Sequence, residues 1–396
     1  MRESVDILIS GGGVAGLAAA AGFGAAGYSV VIVDPAPPIT EGTALGADLR
    51  TTAFLQPSLP VLRDTGLWAR LEPHAMPLQV MRIVDAGGAE PEARIVHDFN
   101  AADVSEQPFG WNLPNWLLRR EFVAHLASLP NVDFRPGTGT KALFTRESEA
   151  LVTLSDGAQL RARLVIGADG RNSKVRKALG IGVSTTRYGQ KALAFAVTHP
   201  EPHGNVSTEI HRSGGPFTLV PLPDHQGKPC SAVIWMETGP EIERLRNLPP
   251  EAFTEAMNTR SCGLYGWLEL ATPLTVWPII SQLAERWTGQ RSALMAEAAH
   301  VVPPIGAQGL NMSLADLTTL LELATPETLG TPEMLQAYER RRALEVKLRQ
   351  VGVDALNRAS MLESRPLRDL RAGALNALYS VAPVRRSLMQ LGIGMR

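Results

Sequence analysis

The chain has 396 residues, 45% of them apolar, with 38 lysines and arginines against 39 aspartates and glutamates. The length predicts two domains, and the charge balance implies no general attraction to nucleic acid or anionic lipid. Its two cysteines, Cys230 and Cys262, show neither C-x-x-C nor metal-ligand spacing, which fits a reducing cytoplasm and excludes a dithiol centre of the usual spacing. His199 and His203 are four apart, but Pro200 and Pro202 prevent the helix that would align them, so no metal is expected.

Val5-Asp6-Ile7-Leu8-Ile9 reads as a buried parallel strand, followed at once by Gly11-Gly12-Gly13-Val14-Ala15-Gly16. A small-residue helix from Val14 to about Ala26 stops at Gly27, and a second strand, Ser29 to Val33, ends in Asp34. Gly11, Gly13 and Gly16 stand in G-x-G-x-x-G order, the fingerprint of a dinucleotide-binding βαβ unit. Gly11 permits the tight turn, Gly13 lets a pyrophosphate approach the backbone, and Gly16 lets helix and strand pack closely. The helix opening at Val14 and Ala15 offers free N–H groups and a positive dipole end. Asp34 can accept hydrogen bonds from ribose hydroxyls and would repel a 2′-phosphate, which suits FAD or NAD rather than NADP. No charge occurs from Ile7 to Val33, yet seven glycines interrupt the run, which argues against a membrane span or signal segment.

From Asp48-Leu49-Arg50-Thr51-Thr52 a helix is predicted, with Leu55, Leu59 and Leu62 on one face and Gly66 as its stop. A strand over 78–85 ends at Gly87-Gly88, and residues 86–110 form a loop with a short edge strand. A second helix starts at Asn115 and carries Leu118, Phe122 and Leu126. Strands follow at 132–134, 142–145, 151–154 and 160–166. Gly167-Ala168-Asp169-Gly170-Arg171 then leads through a loop into a helix. Residues 192–198, 206–211, 217–222 and 231–236 alternate or run apolar between Gly/Pro turns, as an antiparallel sheet would. A helix-rich stretch, 250–270, precedes a strand at 292–296. Then comes Glu297 through Met312, including Pro303-Pro304-Ile305-Gly306 and Gly309-Leu310-Asn311. A helix is predicted from about Leu310 to Leu323, and the remainder is largely helical. Arg340-Arg341-Arg342 is best explained as a solvated helix face.

The N-terminal βαβ unit, Gly167–Arg176 and Glu297–Met312 stand in the order of the class A flavoprotein monooxygenases of the p-hydroxybenzoate hydroxylase fold. The chain resembles them over nearly its whole length, and within them it looks most like the ubiquinone-biosynthesis hydroxylases. Asp48-Leu49-Arg50, Asn115, Tyr188-Gly189-Gln190, Gly215-Pro216, Leu219–Leu222 and Leu335–Arg342 with Tyr338 support the likeness. The resemblance implies an α/β fold: a Rossmann-like FAD-binding domain, an inserted antiparallel-sheet substrate domain and a C-terminal helical segment. The expected FAD-binding domain comprises 1–75, 100–180 and 275–330, the substrate domain 76–99 and 181–274, and the helical segment 331–396.

By resemblance, Asp34 holds the adenosine ribose, while Arg50 and Asn115 lie along the pyrophosphate side with Asp169 near it. Glu297 contacts the ribityl chain, and Gly309, Leu310 and Asn311 lie beneath the isoalloxazine. Pro304 and Gly306 line the oxygen-transfer side, and His211 and Phe217 are conceivable substrate neighbours. The family usually has Gly-Asp where this chain has Ala296-Glu297, which keeps the carboxylate on a longer arm and adds a Cβ. Asn115 stands where many relatives carry arginine. No histidine or cysteine in the three motifs would tether the flavin, so FAD is expected to be non-covalent.

The implied reaction is hydroxylation of a phenolic ring by a flavin C4a-hydroperoxide, with O2 as oxidant. NADPH or NADH acts as a transient co-substrate, since no second G-x-G-x-x-G exists to hold it. Three readings follow: a hydroxylase of a hydrophobic polyprenyl phenol in ubiquinone synthesis, a hydroxylase of a small soluble aromatic, or a non-catalytic flavin-bearing subunit of a biosynthetic complex. Contact with other ubiquinone-biosynthesis proteins belongs to the first and third. The expected location is cytoplasmic, with any contact at the inner face of the membrane peripheral. Leu367 to Leu391, with Arg368, Arg371, Arg385 and Arg386, reads as a solvated helix pair closing the domain, or as a surface for a membrane or partner.

Overall fold

The strand Glu3–Ser10 lies in the middle of an eight-stranded sheet, between Gln159–Gly167 and Val30–Asp34, parallel to both. Val132–Pro136 and Ser292–Leu294 extend the parallel set on either side. Parallel central strands are covered on both faces, and here Ile7, Leu8 and Ile9 are fully buried, as are Ile32 and Val33. The computed structural model describes residues 3–394. A nine-stranded sheet and a small three-stranded one complete the β structure of those residues.

The helix Val14–Ala25 packs on the first sheet against the helices Asn115–Leu126 and Gln308–Leu323. Its run of alanines, Ala18 to Ala21, is wholly buried and lets the neighbouring helices come close. Gly16 makes the approach to the strand possible, since a Cβ there would sit 1.9 Å from the Gly11 carbonyl oxygen. Gly11 itself has φ +117° and its back against the Ala168 carbonyl.

The helix predicted from Asp48 does not form. Thr51–Leu55 is a strand paired with Gly110–Pro114, followed by a 3-10 turn, Gln56–Ser58, and a short helix, Leu59–Asp64. Pro57 and Pro60 each lack the N–H that a continuous helix would need, and both sit in the first positions of the short helical pieces instead. The β-branched Thr51 and Thr52 favour the strand.

Eight strands of the nine-stranded sheet run in the order His300–Val301, Thr275–Ala284, Val183–Thr198, Lys228–Thr238, Pro216–His225, Val206–His211, Val80–Asp85 and Ile95–Asn100, and the ninth, Glu269–Leu270, pairs with the end of Val183–Thr198. Only Val80–Asp85 with Val206–His211 is parallel among these pairs. The sheet passes the boundary expected at residue 275, because Thr275–Ala284 pairs along Val183–Thr198. Pro273 and Pro278 obscure that strand in the sequence; a register shift between Arg187 and Lys191, around Gly189 at φ +73°, accommodates it. One face carries Ile210, Phe217, Leu219, Val233 and Trp235 into a core with Phe253 and Met257 of the helix Pro250–Ser261. That helix ends at Cys262 in the left-handed region, and Glu269–Leu270 is a short strand rather than helix.

The strand expected over 292–296 stops at Leu294, and Ala296–Ala298 forms a 3-10 turn. The helix that follows the glycines begins at Gln308, two residues earlier than its apolar pattern. Three helices, Pro332–Ser360, Arg365–Ser380 and Ala382–Ile393, finish the chain. Arg342 turns inward instead of joining a solvated face. It reaches Asp316 at 2.8 Å, while His300 Nε2 lies 2.7 Å from the same carboxylate and the Ala296 N–H donates to it at 3.1 Å. Asp316 is fully buried. Burial works to raise its carboxyl, but the His300 and Arg342 charges hold it below the ordinary carboxylate range.

A carboxyl depressed in the folded state binds its proton less tightly than in the unfolded chain. Its stabilising effect is therefore full above the ordinary carboxylate range and fades as pH falls through the depressed value. Arg342→Met should cost about 3–5 kcal/mol, because it leaves a buried charge without one partner. Urea melts should show that loss at neutral pH, and the gap between variant and wild type should shrink in acid.

Candidate active site

A cavity of about 1770 Å³ opens where the two large sheets meet. Gly11, Gly13, Val14, Ala15 and Asp34 line one end, and Arg50, Asn115 and Asp169 flank it. Glu297, Pro304, Gly306, Gly309 and Leu310 line its middle. Of the candidate site residues singled out in the sequence, Gly16, Phe217 and Asn311 stand outside the lining.

At the glycine-loop end, a Cβ built on Gly13 would meet nothing within 4 Å, so the loop presents open backbone to the cavity. Asp34 accepts from the Gly12 N–H at 2.6 Å and from the Ala36 N–H at 2.9 Å. Each oxygen keeps a further lone pair for a ligand. Gly12 was missed as a site residue; its Cβ would come within 2.9 Å of Asp34. Asp169 Oδ2 caps the next helix by accepting from the Lys174 and Val175 N–H groups. Its Oδ1 is buried and has no partner among the described residues. A buried acceptor left open for a hydroxyl, beside a glycine cradle whose backbone N–H groups suit phosphates, fits a dinucleotide.

Next along the wall, Asp48 is nearly fully buried and grips Arg50 through Nε at 2.9 Å and Nη2 at 2.7 Å. Asn115 donates to Asp48 at 3.1 Å and accepts from Thr52 at 2.8 Å. Burial works to raise the Asp48 carboxyl, yet the Arg50 guanidinium, Asn115 and the Arg119 charge hold it below the usual range. The other face of Arg50 lies 3.9 Å from the centre of the Trp277 ring. Arg50 is thus a built cation, and Asp48 is the residue that builds it. In the sequence Asp48 is visible only as the acid two positions before Arg50.

The segment after Ala296 carries three residues with left-handed backbone: Ala296 at φ +54°, Gly306 at +64° and Ala307 at +54°. Ala296 bears strain that a glycine at this position would avoid. Glu297 is exposed to the cavity, and its charge acts on Arg50, which its partners raise above the ordinary guanidinium range against the effect of burial. The helix Gln308–Leu323 opens at the turn ending at Ala307, its first residues Gln308, Gly309 and Leu310 line the cavity, and a Cβ on Gly309 would meet open space.

The Asn311 side chain serves the scaffold. Its Oδ1 accepts from the Leu55 N–H and Ser58 Oγ, and its Nδ2 donates to the Ala53 and Ala307 carbonyls. All its amide capacity is spent fastening the helix to the strand Thr51–Leu55. Gln308 was missed: it donates to the Gly306 and Gly392 carbonyls and accepts from Arg349 at 2.8 Å.

The opposite wall is the free face of the antiparallel sheet. Strand alternation sends Ser207, Glu209, His211, Thr218, Val220 and Ile234 toward the cavity. His211 Nε2 lies 2.7 Å from Glu209 Oε1. Phe217 points the other way; its ring is buried in the core, 5.4 Å from that of Trp235, and it is no substrate neighbour.

Two variants separate binding from folding. Gly309→Val should keep the melting temperature, since its side chain enters open space, yet FAD retention should fall. Asp34→Ala should weaken FAD binding by about 1–3 kcal/mol, as for losing hydrogen bonds to a charged acceptor. Fluorescence titration of the apoprotein reads both; undiminished affinity in both variants would move the flavin elsewhere.

The chain matches the family described as FAD binding domain over residues 4–349. It is 32% identical over 394 residues to ubiquinone hydroxylase UbiL of Rhodospirillum rubrum, covering 98% of this chain and 89% of that protein. With the 3-demethoxyubiquinol 3-hydroxylase of Escherichia coli it shares 26% identity over 100% of both chains. Among solved structures, p-nitrophenol 4-monooxygenase PnpA from Pseudomonas putida DLL-E4 superposes with a TM-score of 0.80 over 100% of both chains, at 19% identity, which shows a common fold. A glycine cradle with an open acceptor beside it, in a chain matched nearly end to end by such relatives, belongs to the FAD-binding family of FAD-dependent monooxygenases.

Proposed function

We propose that the chain hydroxylates the ring of a polyprenyl phenol on the route to ubiquinone. The observation that carries this reading is the far end of the cavity. Beyond the sheet wall it continues between the last three helices, lined by Leu348, Leu356, Leu367, Leu370, Leu378 and Leu388. Its volume of about 1770 Å³ exceeds the roughly 300–1,000 Å³ of a typical small-molecule pocket. A dinucleotide and a small aromatic ring would leave the leucine-lined end empty, whereas a prenyl tail fills it. The names of the relatives, a ubiquinone hydroxylase and a demethoxyubiquinol hydroxylase, support the same substrate class.

In this reading the bound flavin supplies the activation of O2, with electrons from NADPH or NADH. The protein's part is position, charge and dryness. The Gly11–Gly16 loop and the N-terminus of its helix receive the pyrophosphate, with Asp34 on the adenosine ribose. Arg50, held by Asp48, supplies a fixed positive charge, while Asn115 and Asp169 offer polar groups alongside. Glu297 serves the ribityl chain. The N–H groups of Gly309 and Leu310 favour negative charge at the adjoining ring. Pro304 and Gly306 present no side-chain donor, which keeps that side of the pocket dry. Glu209 and His211 are the titratable pair on the sheet face that also carries Ser207, Thr218, Val220 and Ile234, placed to orient a phenolic oxygen. A substrate with a polyprenyl tail resides in the bilayer, so the reading also carries peripheral membrane contact.

The FAD-loaded protein should oxidise NADPH faster when given a prenylated phenol, and mass spectrometry should find one atom from labelled O2 in the product. Equal stimulation by p-hydroxybenzoate or salicylate, with coupled hydroxylation, would favour the small-aromatic reading. Absence of product from every prenylated phenol tested would sink the proposal.

A further inference from the structure

We propose that the last two helices form a docking face for an anionic lipid bilayer, and that the substrate tail passes from lipid into the cavity between them and the helix Pro332–Ser360. The inference rests on the polyprenyl-phenol reading for its substrate, and on three observations for its surface. The first is exposure. Leu370 and Leu391 are each 69% exposed, and Leu348 is 65% exposed. Along Arg365–Ser380 the positions Leu367, Leu370, Ala374 and Leu378 recur at helical spacing, which makes one apolar stripe. Exposed apolar stripes of this kind mark contact surfaces.

The second observation is continuity. Leu348, Leu367, Leu370, Leu378, Leu388 and Leu391 are surface residues and cavity lining at once. A hydrocarbon tail moving past them exchanges lipid for leucine without crossing water. A protein partner docked on this face would instead cover the cavity mouth.

The third is charge. Residues 365–393 contain Arg365, Arg368, Arg371, Arg385 and Arg386 against a single acid, Asp369. Arg94 binds that acid, and Arg371 is taken by Asp85. Arg365 and Arg386 are exposed and reach no carboxylate among the described residues. A helix pair that faces water carries mixed charges; one that combines an apolar stripe with an excess of arginine, two of them reaching no carboxylate, fits anionic headgroups over acyl chains. The platform is fixed to the body, because Arg371 holds Asp85 at 3.0 Å and Tyr379 donates to the Asp98 carbonyl at 3.1 Å. Its helices are 16 and 12 residues long, and no helix among the described residues is long and apolar enough to cross a membrane. The contact is therefore one of helices lying in the surface.

Vesicle co-sedimentation of the FAD-loaded protein tests this. It should bind vesicles of phosphatidylcholine mixed with phosphatidylglycerol, and bind phosphatidylcholine alone more weakly. Arg365→Gln with Arg386→Gln should lower binding to the anionic vesicles roughly tenfold or more, since each cation near the surface contributes on the order of 1 kcal/mol. Leu370→Gln with Leu391→Gln should lower binding to both. Flavin absorbance and melting temperature should be unchanged in both pairs, which separates a lost surface from a lost fold. Vesicle binding is read without turnover, so failure to hydroxylate prenylated phenols would count against the hydroxylase reading alone. No vesicle binding by the wild type, or equal binding by both variants, overturns the docking face. So does loss of self-association in the leucine variant without vesicle binding, which would make the face a contact between copies.

Discussion

The buried carboxylate of Asp316 holds together the parts that frame the cavity. Moving a charge of that size out of water costs several kcal/mol, and the cost is offset only while every partner stays in place. Its partners come from different segments: His300 from the end of the antiparallel sheet, Arg342 from the long C-terminal helix, and the Ala296 N–H from the turn that carries Glu297. None of these segments can drift without exposing an unpaired charge to an apolar interior. The left-handed backbone at Ala296 is held in the same way, since its N–H donates to that buried carboxylate.

Rigidity at that point suits the chemistry. A reduced flavin develops negative charge, and donors that must reorient to meet it are worth less than donors already aimed. The first turn of the helix after Ala307 lines the cavity, and Asn311 locks that helix to the strand Thr51–Leu55.

Much of this was legible in the sequence because its signals are local. The glycine spacing and Asp34 define a strand, turn and helix whose close contacts admit nothing larger, as the 1.9 Å clearance at Gly16 shows. Alternation in 206–211 and 217–222 showed the sheet and which residues share a face, though not which face meets the cavity; His211 and Phe217 fell on opposite sides. What stayed hidden depends on pairing across long separations. Asp48 matters through Asn115, 67 positions away, and Asp316 through Arg342 and His300. The stretch from Asp48 misled because leucines at 55, 59 and 62 mimic a helical face, while the prolines between them forbid one. Thr275–Ala284 was concealed by prolines that a register shift accommodates.

Gln308 gives the end of the chain an unexpected standing. One amide group spans the turn at Gly306 and the carbonyl of Gly392, with Arg349 on its other side. The loop beneath the expected reaction centre is thus moored, across 84 positions of sequence, to the last helix. A clipped or bulky C-terminus would therefore be felt first as a slackened mooring inside the pocket, and only afterwards as a change at the surface.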